Sequence, residues 1–127
     1  MRVLVDTHFL VWWAAGRRIP KRAASLIQDP ANELYASAAS VWEIAIKVGL
    51  GRLDVDPVEL VRALDDGGFT ALPVTTQHAI AVAALPEIHR DPFDRLLVAQ
   101  SRVENLCLLT QDQVLDGYGA MVIRSDR

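Results

Sequence analysis

Cysteine is nearly missing from this 127-residue chain: Cys107 stands alone, so no disulfide can form within it. His8, His78 and His89 have no spacing with Cys107 that would build a zinc site. Lysine is almost as scarce, with Lys21 and Lys47 the only two, the other basic residues being arginine. No apolar run approaches the ~20 residues that a membrane helix needs, so no membrane partner is expected. The first residues, Arg2-Val3-Leu4-Val5, read as a strand and lack the layout of a secretory leader, and a cytoplasmic location is expected. Excess positive charge is absent as well. The net charge of −3, from 16 acids against 13 Lys and Arg, argues against a strongly basic nucleic-acid binder. Acids that work by binding cations would, however, enter that count and be neutralised in use.

What is present is apolar and periodic. At 51% hydrophobic residues the chain reads as a packed domain, and 127 residues predict one domain covering 1-127. Five short apolar runs predict strands at 2-5, 33-37, 70-74, 106-110 and 121-124. Helical periodicity fills 8-15, 20-28, 38-50, 57-66, 75-85 and 92-105. Pro20 and Pro57 fit first helical turns, and Asp91-Pro92 reads as an N-cap followed by the first helical residue. Strands alternating with helices predict an α/β fold: a single three-layer α/β/α domain with a central, mostly parallel sheet. The wholly apolar first and fourth strands suit central positions buried on both sides.

Four short stretches place a carboxylate where a strand ends or a helix begins: Val5-Asp6-Thr7, Trp42-Glu43-Ile44, Phe93-Asp94-Arg95 and Thr110-Gln111-Asp112. In open α/β sheets ligands bind beyond the carboxyl ends of strands, which is where Asp6 and Asp112 fall. Each acid also has a purely structural reading. Asp6 can cap the helix that follows, and Asp112 the short segment after it. Ser40 and Glu43 have capping-box spacing, and Lys47 lies one turn beyond Glu43 in the favourable orientation. For Asp94 no such reading suffices, because Asp91 already accounts for the cap. Asp116, one turn past Asp112, is an alternative to it.

Two carboxylates ~5 Å apart repel by roughly 3 kcal/mol at an effective dielectric of 20, so four gathered at one sheet edge call for a cation. Oxygen-only ligation selects Mg2+ or Mn2+ and leaves coordination positions for water and phosphate, the setting of phosphodiester hydrolysis. The basic cluster Arg17, Arg18, Lys21 and Arg22 reads either as a phosphate-backbone contact or as a solvated helix face. Trp12, Trp13 and Trp42 read as core or interface residues rather than base-stacking platforms. Histidine at position 8 removes the second acid that an aspartyl phosphatase would need. A phosphoacceptor receiver domain would need a late lysine, and none follows Lys47.

The stretches VLVDTHFLVWW, SAASVWEIAIKVGLGRL, HRDPFDRLLVAQS and LLTQDQVLDGYG, taken in this order, resemble the PIN-domain nucleases, in particular the VapC toxins of bacterial toxin–antitoxin pairs. The resemblance runs over most of the chain. It implies Mg2+- or Mn2+-dependent endonucleolytic hydrolysis of RNA, with Asp6, Glu43, Asp94 and Asp112 as the catalytic, metal-binding acids. It also implies a homodimer and a VapB-type antitoxin as partners. One departure is Gln111, which stands where the family often has a small or basic residue before the fourth acid. A catalytically silent PIN-fold binding module is the alternative, and intact carboxylates at all four places speak against it.

Overall fold

The computed structural model describes residues 1–119 and 121–125; Ala120, Asp126 and Arg127, which belong to the expected 1-127 domain, lie outside the described residues. Five strands, β1 (Arg2–Val5), β2 (Glu33–Ser37), β3 (Thr70–Leu72), β4 (Cys107–Thr110) and β5 (Val122–Arg124), form one sheet in the order β3-β2-β1-β4-β5. Every neighbouring pair is parallel, so the sheet is parallel throughout rather than mostly so. The helices are α1 (Thr7–Ala14), α2 (Lys21–Gln28), α3 (Ala38–Gly49), α4 (Pro57–Asp66), α5 (Thr76–Ala83) and α6 (Pro92–Glu104), with a 3-10 helix at Gln113–Tyr118.

The period of two along β1 explains the three layers. Val3 and Val5 face a core shared with Phe9 and Leu10 of α1, Ile27 of α2, Ile44 of α3 and Leu60 and Leu64 of α4. Leu4 points the other way, into a core with Leu97 and Val98 of α6, Leu108 and Leu115. Side chains this completely buried contribute about 1.5–3 kcal/mol each, which fixes the register of the central strands. That register sets Val5 opposite Leu109, so the residues following β1 and β4 emerge side by side.

The expected elements exist, with shifted ends. The third strand stops at Leu72 instead of 74 because Pro73 offers no amide to a ladder. Pro20 precedes the first turn of α2 at its N-cap instead of entering it. Helix α5 ends at Ala83, short of the predicted 85, ahead of Pro86. Its N-cap, Thr75, is answered by the His78 ring in a reciprocal capping pair.

The α4–β3 turn depends on an absent side chain. Trp13 packs edge-on to Phe69, with ring centroids 5.1 Å apart, and its indole lies over Gly67. A Cβ at Gly67 would stand only 2.2 Å from a Trp13 ring carbon. Gly67→Ala is therefore expected to destabilise the protein by about 1–3 kcal/mol, the scale of overpacking. A lower urea midpoint with an unchanged slope is the checking measurement.

Candidate functional site

Asp6 occupies the N-cap position of α1, yet its side chain makes no capping hydrogen bond. The His8 amide still acts on the carboxylate and favours its ionised form, so the capping reading survives only as a weak contact. The carboxylate is 3% exposed, and its Oδ2 accepts the Thr110 hydroxyl at 2.6 Å across the β1–β4 pair. Its Oδ1 is buried with no hydrogen bond among the described residues, and Nδ1 of the exposed His8 ring lies 3.9 Å away. Burial pushes the Asp6 carboxyl above the usual carboxylate range, against the opposing pull of the Thr110 hydrogen bond.

The capping-box reading of Ser40 and Glu43 is also corrected. Helix α3 starts at Ala38, as the periodicity predicts, and its N-cap is Ser37, which accepts the Ala39 amide at 3.0 Å. Ser40 lies inside the first turn, where its hydroxyl takes the Thr7 hydroxyl at 2.8 Å and ties α3 to α1. Glu43 sits a turn deeper, 7% exposed. Lys47 Nζ donates to Glu43 Oε2 at 2.8 Å, as the spacing predicts, but Oε1 is buried without a hydrogen bond.

Asp91 caps α6 through the amides of Phe93 and Asp94, which leaves Asp94 with no capping task. Burial first, and then the negative charges of Asp6 and Asp91, push the Asp94 carboxyl up to about 7, with His89 acting against them. Asp112 serves two purposes. Its Oδ1 accepts the Val114 amide at 3.0 Å as the N-cap of the 3-10 helix, and its Oδ2 meets His89 Nε2 at 2.9 Å. Burial raises the Asp112 carboxyl, but the His89 and Val114 hydrogen bonds outweigh it and hold the group below its ordinary value. Asp116 is turned elsewhere, onto Arg124 Nη1 at 3.0 Å.

Two residues near Asp94 take on roles of their own. His89 places Nε2 3.2 Å from Asp94 Oδ2 as well as against Asp112. His89, Asp94 and Asp112 each offer a ligand atom within 4.8 Å of the others. Arg95, next to Asp94 in the chain, donates to the carbonyls of Pro86 and Val82, both at 3.1 Å. With Tyr118, whose hydroxyl donates to Pro86 and accepts the His89 amide, it pins the loop that carries His89.

Asp6 from β1, Glu43 from α3, Asp94 from α6 and Asp112 after β4 thus converge at the carboxyl edge of the sheet. Beside them lies a small cavity of about 110 Å3, lined among others by Thr7, His8, Trp12, Arg17 and Lys47. The Arg17 guanidinium stacks on Trp12, 5.5 Å from the ring centroid.

The PIN domain model matches residues 3–120 of this chain. Ribonuclease VapC22 of Mycobacterium tuberculosis is 30% identical over 118 residues, 91% of either chain. The fold matches a chain of VapBC2 from Rickettsia felis, solved bound to a DNA fragment from the promoter, with a TM-score of 0.71, 12% identity and 98% of both chains covered. It also matches a chain of VapBC-1 from nontypeable Haemophilus influenzae, with a TM-score of 0.66 and 16% identity over the full length of both. The chain belongs to the PIN-domain family, within its VapC branch.

Proposed function

We propose that this protein is the toxic component of a type II toxin–antitoxin pair: a Mg2+- or Mn2+-dependent endoribonuclease that acts in the cytoplasm and is restrained by a VapB-type antitoxin. The observation that carries the metal reading is the pair of orphaned oxygens, Asp6 Oδ1 and Glu43 Oε1, both buried and without hydrogen bonds. A buried acceptor left unpaired costs roughly 1–3 kcal/mol, and a hard cation is the partner that matches an all-oxygen set. The residues present therefore fit such an ion. The relatives supply the substrate class: the 30% identical protein is named a ribonuclease.

Asp6 and Asp94 would hold the ion directly, with Glu43 and Asp112 completing the site through water or around a second ion. Bound there, Mg2+ or Mn2+ supplies water activation and offsets charge on the phosphodiester. Thr110 fixes the Asp6 carboxylate, and Lys47 holds Glu43 Oε2, leaving Oε1 for the ion. Arg17 and the neighbouring Arg18 and Lys21 form the cationic approach for the RNA backbone. Protein partners are supported by an apolar stripe along α3 and its C-cap, where Trp42, Ile46 and Leu50 recur every four residues and are 62%, 38% and 62% exposed. A homodimer or the antitoxin would cover it.

The test is cleavage of RNA by the purified protein freed of its antitoxin. Cleavage is expected with Mg2+ or Mn2+ and is expected to vanish with EDTA. RNA bound but left intact in the presence of either ion would favour the silent binding module instead.

A further inference from the structure

His89 reaches two of the four acids, yet its hydrogen bonds show that it does not approach them as a metal ligand. The Asp91 amide donates to His89 Nδ1 at 2.9 Å. A backbone N–H can only donate, so Nδ1 must present its lone pair, and the ring proton therefore sits on Nε2. That proton goes to Asp112 Oδ2 at 2.9 Å, while Asp94 Oδ2 lies 3.2 Å from the same nitrogen but off the hydrogen-bond direction. A histidine that binds a metal through Nε2 needs the opposite arrangement, with a bare Nε2 and a proton on Nδ1.

We infer that His89 is a positioning residue, a donor clamp that holds Asp112 beside Asp94 and turns the remaining oxygen lone pairs of Asp112 toward the ion. The inference rests on the metal reading of the site given above.

The clamp is fixed from three directions. The His89 amide donates to the Tyr118 hydroxyl at 3.0 Å, and the Arg95 guanidinium approaches the His89 carbonyl at 3.5 Å. Nδ1 is held by Asp91, the residue whose carboxylate also caps the helix bearing Asp94. A ring braced in this way does not swing to follow a passing charge. Of the two acids it reaches, Asp112 gains more. Its side chain is 36% exposed and lies outside the sheet, held otherwise by the Val114 amide alone among the described residues. The Asp94 carboxylate accepts no hydrogen bond among the described residues, so its oxygens remain free to be offered to the ion, with His89 Nε2 3.2 Å from Oδ2. The residues that hold metal ligands in place are typically worth ten- to a hundredfold in affinity, which sets the effect to look for.

Two substitutions separate the clamp from the loop brace. Asn at position 89 keeps an acceptor where Nδ1 sits, and so keeps the Asp91 contact, but has no donor that reaches the carboxylates. Gln extends an amide donor to the Nε2 position. His89→Asn is therefore expected to weaken Mn2+ binding by about tenfold in a calorimetric titration of the full chain, with little change in its melting temperature. His89→Gln is expected to stay within about threefold of the parent. A long-range proton–nitrogen NMR correlation of the parent, with and without Mg2+, is expected to show Nε2 protonated in both. Parental Mn2+ affinity in His89→Asn would overturn the clamp. So would tighter binding in that variant, or an Nε2 that loses its proton when Mg2+ is added. A parent chain that binds no Mn2+ at all would remove the metal site itself, and the clamp with it, while the NMR measurement made without Mg2+ still reads the hydrogen bonds on their own.

Discussion

Replacing Asp6 with Asn is expected to lower RNA cleavage by at least about a thousandfold while leaving the fold intact, the scale seen when one preorganised charge-stabilising group is lost. The Asp6 carboxylate does two things with its two oxygens. Oδ2 accepts the Thr110 hydroxyl at 2.6 Å, and an Asn carbonyl can accept it equally well. Oδ1 is the buried oxygen without a hydrogen bond, and there Asn would place an N–H₂ group. A donor then points at the space where a cation needs an acceptor, and one negative charge is gone. Stability should not suffer, because burial already disfavours the ionised form of Asp6. Single-turnover cleavage with saturating Mg2+, paired with a thermal melt, checks both halves. Growth arrest on induction gives the same answer in cells: a variant that arrests growth as well as the parent would mean that Asp6 holds no ion.

How far such a site can be read from sequence depends on whether its neighbours are local. The placement of Asp6 and Asp112 at the same sheet edge follows from two wholly apolar runs, since strands buried on both faces belong at the centre of a parallel sheet. The structure pairs Val5 with Leu109 as that reasoning requires. Asp94 stands out from sequence for an equally local reason: Asp91 already caps the helix. Glu43 is harder. Ser37 and Ser40 are both good N-cap residues, and sequence alone favours the one with a glutamate three positions on. The end of β2 and the Thr7–Ser40 hydrogen bond, 33 residues apart in the chain, decide for Ser37. His89 was out of reach because its partner Asp112 lies 23 residues away, and nothing in His89-Arg90-Asp91 announces that contact. Arg95 misleads in the opposite way. An arginine beside a candidate ligand suggests substrate contact, but the carbonyls of a nearby loop take up its donors.

The second large effect concerns stability rather than rate, and it has a definite sign with pH. The Asp94 carboxyl rises from 3.8 to about 7 on folding, chiefly through burial and then through the charges of Asp6 and Asp91. Between those two values the folded chain holds a proton that the unfolded chain has released. Without divalent cation, this group's contribution to stability therefore falls as pH rises through that window, and the loss is complete above about pH 7. A shift of this size corresponds to at most about 4 kcal/mol, and partial exposure with solvent screening reduces it to roughly 2. Asp94→Asn keeps the shape without the charge. In EDTA at about pH 8 it is expected to be more stable than the parent by about 2 kcal/mol, on the order of 6 °C in melting temperature. The gap should narrow steadily as pH is lowered toward about 4, where the parent carboxyl is neutral in both states. Adding Mg2+ at the higher pH should raise the parent's melting temperature and leave the variant nearly unmoved, since the cation relieves the repulsion that the substitution has already removed. An Asp94→Asn variant less stable than the parent in EDTA at the higher pH would mean that Asp94 is satisfied by its protein neighbours and is not held ready for an ion.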